Sequence, residues 1–165
     1  MANKYSKVLL VLLAIFAFLA AGCGAPKNAD SSGSAAKSAS SSQAANGGLT
    51  IQMLNVGQGD SILVKTAEQT VLIDTSDVDE RDKLRAQLAK AGVKKIDKVI
   101  LTHPHADHIG GMAVLFDDNY EIGAIYDNGM PSTSRLYLDY VKKAKEKKIE
   151  HKGLKEVDVL DVCGG

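Results

Sequence analysis

Cysteine is scarce in this chain: its 165 residues hold two, Cys23 and Cys163. Cys23 closes an N-terminal leader, so Cys163 has no internal partner and no disulfide framework is available. An excess of one charge is also missing, with 20 basic and 20 acidic residues. Composition therefore gives no argument for nucleic acid as a partner. No internal repeat is visible, which leaves no basis for a solenoid or array. The longest apolar run, Val8 to Ala21, falls short of the about 20 residues that cross a bilayer comfortably.

What that run does match is a targeting signal. Lys4 and Lys7 form a basic start, and Leu19-Ala20-Ala21-Gly22-Cys23 ends the apolar stretch with small residues before a cysteine. This resembles the lipobox of bacterial lipoproteins, with the leucine one place further upstream than usual and Ala20 in its position. Residues 1–22 are read as a signal peptide and Cys23 as the lipidated first residue of the exported chain. Removing the signal takes away two lysines and no acid, so the remainder has slightly more acidic than basic groups. Residues 23–48 are rich in Ser, Ala, Gly and Asn and have no apolar periodicity. Such a segment cannot bury enough surface to offset its ordering entropy. It is expected to be a disordered tether of about 25 residues with a reach of about 25–30 Å, holding residues 49–165 off a membrane surface.

From Leu49 the pattern predicts strands over 49–56, 61–65 and 70–73, with Ala67-Glu68-Gln69 as a hairpin-like connection. A helix comes next, capped by Asp79, with Leu84, Leu88 and Ala91 on its buried stripe and Gly92 at its left-handed end. Further strands are expected at 96–101 and 122–126, and a short helix from Ile109 to Phe116. A longer helix runs from a Ser132 or Thr133 cap to about Lys148, with Leu136, Tyr137, Tyr140, Val141 and Ala144 turned inward. Lysines 142, 143, 145, 147 and 148 form its solvated face, since Glu146 interrupts them and no aromatics interleave. Val157 to Val162 reads as a last strand. Strands first, then strand and helix in alternation, predict an α/β layered domain with helices on a mixed sheet. About 115 residues are enough for one core.

The chemistry sits after the strand at 96–101. His103-Pro104-His105-Ala106-Asp107-His108 places three imidazoles and a carboxylate in six positions. These are the donors that catalytic divalent metals such as Zn²⁺ prefer. In extended backbone, side chains two apart share a side, so His103 and His105 are expected to grip one metal. Pro104 keeps the preceding residue out of helical geometry. Asp107 and His108 come after a turn and suit a second metal nearby. Gly110 and Gly111 permit close backbone packing behind them. A lone histidine is usually structural, but four donors at a strand end are a strong metal-binding pattern.

The run resembles the His-x-His-x-Asp-His motif of the metallo-β-lactamase superfamily. Asn55 to Val64, with its Gly57-Gln58-Gly59-Asp60 turn, then Leu72-Ile73-Asp74-Thr75, then Leu101 to Gly111, and Tyr126-Asp127-Asn128-Gly129 are similar to the hydrolase-like domain of ComEC-type competence proteins and their stand-alone relatives. The resemblance implies an αββα sandwich of two similar halves, of which this chain would carry the N-terminal one. It implies two zincs, one on His103 and His105, the other on Asp107 and His108. Asp107 would orient the attacking water, Asp74 would support the metal loop, and Asp60 would lie at the site mouth. The substrate class implied is a phosphodiester outside the membrane, in DNA or a wall polymer.

In that family further ligands come from the second half, as a later His or Asn, a bridging aspartate and a last His. After His108 this chain has one histidine, His151, in a lysine-rich stretch that matches none of those motifs; it is read as a surface residue. An inactive truncated chain or a tethered binding module is the rival expectation, because half a sandwich would leave an apolar sheet face uncovered. A lactonase- or thioesterase-like hydrolase is the third, and the Gly-Gln-Gly-Asp stretch argues against it.

Overall fold

The computed structural model describes residues 48–162. The signal peptide, Cys23 and nearly all of the tether expected from sequence lie outside the described residues.

Six strands form one mixed sheet: β1 (Thr50–Met53), β2 (Ile62–Lys65), β3 (Thr70–Ile73), β4 (Lys95–Leu101), β5 (Glu121–Asp127) and β6 (Glu150–Gly153). Their order across the sheet is their order in the chain. The first three pair antiparallel, and β3 through β6 run parallel. Tight hairpins can join antiparallel strands, whereas parallel neighbours need a crossover. The helices supply those crossovers: α1 (Arg81–Lys90), α2 (Ala106–Ile109), α3 (Met112–Asp117) and α4 (Arg135–Glu146).

The core lies between the sheet and these helices. Leu63, Leu72, Val99 and Ile125 share one row across β2 to β5 and cluster with Leu84 and Leu88 of α1, Leu115 of α3, and Tyr140 and Ala144 of α4. All are buried. On the opposite face, register aligns Ile51 with Val64 and Val71, and Met53 with Ile62 and Ile73. At the outer edge of that face Ile51 and Met53 are 62% and 66% exposed.

Several local expectations need correction. Asp77, not Asp79, caps the first turn: its carboxylate accepts from Asp79 N–H, and a 3-10 turn, Val78–Glu80, precedes α1. The helix expected over 109–116 is two short helices, α2 and α3, parted at Gly110-Gly111. Ser134 caps α4, its hydroxyl accepting from Tyr137 N–H, where Ser132 or Thr133 was expected. Residues 157–162 form no strand; Val157 and Val159 are 84% and 92% exposed. The outer edge of β6 lies next in the sheet, but these residues pair neither with it nor with any other described strand. Asp158 also turns the chain back, its carboxylate accepting from Lys155 N–H and its own N–H donating to Lys155 O.

Candidate metal centre

β4 ends at Leu101, and the chain leaves the sheet through Thr102 and His103. His105 stands at the N-terminus of α2 in extended backbone, φ −87° and ψ 156°. Asp107 and His108 therefore lie on the helix itself. This geometry brings donor atoms of His103, Asp107 and His108 within 4.8 Å of one another, all three half-buried. His105 is exposed beside them, its ring 4.6 Å from that of His103 and nearly perpendicular to it. The grouping thus differs from the expected split into His103 with His105 and Asp107 with His108. The early turn of the chain into α2 carries Asp107 and His108 back toward His103, whose ring lies 3.9 Å from that of His108.

Asp74 explains why His108 points where it does. It follows β3 directly at φ +57°, a conformation that costs a non-glycine residue free energy and persists only when surroundings enforce it. Its buried carboxylate accepts from Thr102 N–H at 2.8 Å and Thr102 Oγ1 at 2.7 Å, and bonds His108 Nδ1 at 2.9 Å. An imidazole whose Nδ1–H is held by a carboxylate presents a lone pair at Nε2. That nitrogen lies 3.4 Å from Asp107 Oδ2. Two imidazoles and a carboxylate, with one ring fixed in the ligating tautomer, are a donor set that fits a divalent ion of the zinc type.

The surrounding backbone is clamped. Asp60 N–H donates to Asp107 O, and Thr75 N–H donates to His108 O at 2.7 Å. A side chain at Gly59, φ +88°, would meet Asp107 O at 2.1 Å, so glycine is required where the Gly57-Gln58-Gly59 turn passes under the helix. Asp60 is exposed at the rim, its carboxylate 4.0 Å from His108 Nδ1.

A second polar network stands beside the first and was not anticipated from sequence. Asp127, at the end of β5 and paired in register with Leu101, is 5% exposed. Its Oδ2 accepts from Tyr140 Oη at 2.7 Å and bonds His151 Nε2 at 2.8 Å, and its Oδ1 accepts from Gly129 N–H at 2.8 Å. Burial opposes ionisation of Asp127, but the Tyr140 hydroxyl, the Gly129 N–H and the His151 ring outweigh it and hold the carboxyl below the usual range. Burial, reinforced by this carboxylate, pushes the Tyr140 phenol well up. His151 is thus no free surface residue: it lies on β6, part-buried against Asp127. Tyr140 and His151 sit 13 and 24 residues from Asp127 in the chain, so only the fold brings them together.

Comparison with known proteins agrees with this architecture. The family model of the metallo-beta-lactamase superfamily matches residues 54–161, and the chain belongs to that superfamily. It is 39% identical over 62 residues to competence protein ComA of Neisseria gonorrhoeae, a match covering 37% of this chain and 9% of that protein. It is 38% identical over 56 residues to ribonuclease Z of Bradyrhizobium diazoefficiens, covering 34% of this chain and 18% of that protein. The matches therefore span less than a fifth of either relative's length. A solved metallo-beta-lactamase-type structure from Thermotoga maritima shares the fold, with a TM-score of 0.53 and 17% identity over 68% of this chain and 62% of that one.

Proposed function

We propose that this chain is a zinc-dependent hydrolase that cleaves phosphodiesters, in nucleic acid or a cell-envelope polymer, at the outer face of the bacterial cell membrane. The observation that carries the reading is the convergence of His103, Asp107 and His108 behind the end of β4, with His108 oriented by buried Asp74. These three residues, with His105 at their side, would hold the metal. A divalent ion there supplies Lewis acidity, activating water and stabilising charge on an ester oxygen. Asp107, the carboxylate of the group, accepts a hydrogen bond from the attacking water and aims it. Similarity to a protein named ribonuclease Z favours a phosphodiester over a lactone or thioester.

Zinc content by plasma mass spectrometry tests the ligands. Stoichiometric zinc is expected in the wild type, with most of it lost in the His103→Ala/His108→Ala double variant and weaker retention in His105→Ala. Equal zinc in all three would refute the assignment. Turnover of bis-p-nitrophenyl phosphate in preference to a panel of lactones is expected; the reverse preference would overturn the substrate class.

The outer-face location rests on Cys23 and the apolar run before it. Two or more acyl chains on one cysteine give stable anchoring, where one would be marginal. Cys23→Ser is expected to leave the membrane fraction for the soluble one. Unchanged partitioning would rule out the anchor.

A further inference from the structure

We propose that Asn128 is a substrate-binding residue whose side-chain amide N–H donates to a non-bridging oxygen of an anionic phosphodiester. The proposal rests on the hydrolase reading above and names a group that recognises its substrate.

Because Leu101 and Asp127 are register partners, the segments beyond them leave the sheet side by side. One carries His103 and Pro104, the other Asn128 and Gly129. His103, Pro104, Asp127 and Asn128 border one tight gap, too small to hold a water, so Asn128 stands next to His103. Asn128 is half-buried there.

Its amide is already half committed. Asn128 Oδ1 accepts from Met130 N–H at 3.0 Å. A backbone N–H can only donate, so this bond fixes which end of the amide is oxygen. The remaining end, Nδ2, is a pure donor and has no hydrogen-bond partner among the described residues. A neutral donor beside a metal centre suits an anionic oxygen. It would gain nothing from an apolar leaving group.

The residue is also held still. Asp127 is tied to α4 through Tyr140 and to β6 through His151, and its carbonyl accepts from Leu154 N–H at 2.7 Å. Gly129, φ +69°, passes so close to β6 that a Cβ on Gly153 would lie 2.6 Å from its Cα. A donor on a turn fixed at both ends loses little conformational freedom when it binds.

The test is a ¹⁵N side-chain amide titration of the zinc-loaded full chain with dimethyl phosphate, the Asn128 pair being identified by its absence in Asn128→Ser. The expected result is a saturable shift of that pair, and in Asn128→Ser a dissociation constant raised about tenfold at unchanged zinc content. Asn128→Asp, which sets a carboxylate against the anion, should weaken binding further. Shifts of the His103 and His108 rings without movement of the Asn128 pair, or an unchanged constant in Asn128→Ser, would overturn this proposal and leave the hydrolase reading standing. No shift at any of these groups would overturn both. If Asn128→Ser does not fold, the wild-type titration still decides, with the pair assigned by through-bond experiments.

Discussion

Gly111→Ala is expected to lower the melting temperature by about 10 °C or more, or to prevent accumulation of folded protein. The Cβ it adds would sit 1.9 Å from the carbonyl oxygen of Thr75 and 2.4 Å from Leu84 Cδ2. Neither neighbour can give way cheaply. Thr75 is buried next to Asp74 and donates through both its N–H and its hydroxyl to His108 O. Leu84 is fully buried in the core. Overpacking a fixed site costs about 1–3 kcal/mol and sometimes more, and for a domain of this size each kcal/mol moves the midpoint by several degrees. Gly92→Ala is the matched control. Gly92 has φ +66°, but a Cβ there meets nothing within 4 Å, so its cost should be only the conformational about 1–2 kcal/mol. Thermal unfolding of both variants checks the difference. A Gly111→Ala midpoint no lower than that of Gly92→Ala would show that the junction between α2 and α3 is not tightly packed against β3.

The second large effect concerns Asp74. Asp74→Asn is expected to fold and yet to bind zinc about 10–100-fold more weakly, the usual result of losing an outer partner of a ligating imidazole. An asparagine can still accept from Thr102 N–H through its oxygen. Its NH₂ would then face His108 Nδ1, where the carboxylate oxygen now stands. That reverses the polarity of the bond and drives the imidazole proton to Nε2, the atom required for ligation. Asp74→Ala removes the acceptor altogether. It should also destabilise the fold, because unpaired buried polar groups cost about 1–3 kcal/mol each. Competition with a chromogenic chelator measures the affinity, and imidazole ¹⁵N shifts report the tautomer. Wild-type affinity in Asp74→Asn would mean that His108 is held by its helix rather than by the carboxylate.

The candidate ligands were legible because all four lie within six consecutive residues and are of the donor types that divalent metals take. The glycine pair at 110 and 111 was legible for the same local reason. How the ligands group was less so. Period-two reasoning holds in a strand, but α2 begins at Ala106, directly after His105, and the helix brings Asp107 and His108 round to His103. Strands with alternating or apolar patterns, such as Thr70–Ile73, are readable to within a residue or two. Glu150–Gly153 was missed because Glu-His-Lys-Gly carries no strand pattern; its place is set by the open edge of β5. Residues 157–162 mislead for the opposite reason, having the alternation without pairing to any described strand. The Asp127, Tyr140 and His151 network depends on packing α4 and β6 against β5, and no short window of sequence contains it.

Strand order in this sheet keeps to the chain without a single inversion. No strand has to wait for a later one to be inserted between earlier neighbours. Each can dock onto an edge that already exists, so the sheet can grow in one direction as a nascent chain is released from its N-terminal side. Once β4 and α2 have formed, the partners that hold Asp107 and His108 are in place, whereas the Asn128 turn waits for α4 and β6. The chain from α4 onward then closes as a clasp over the exposed edge of β5.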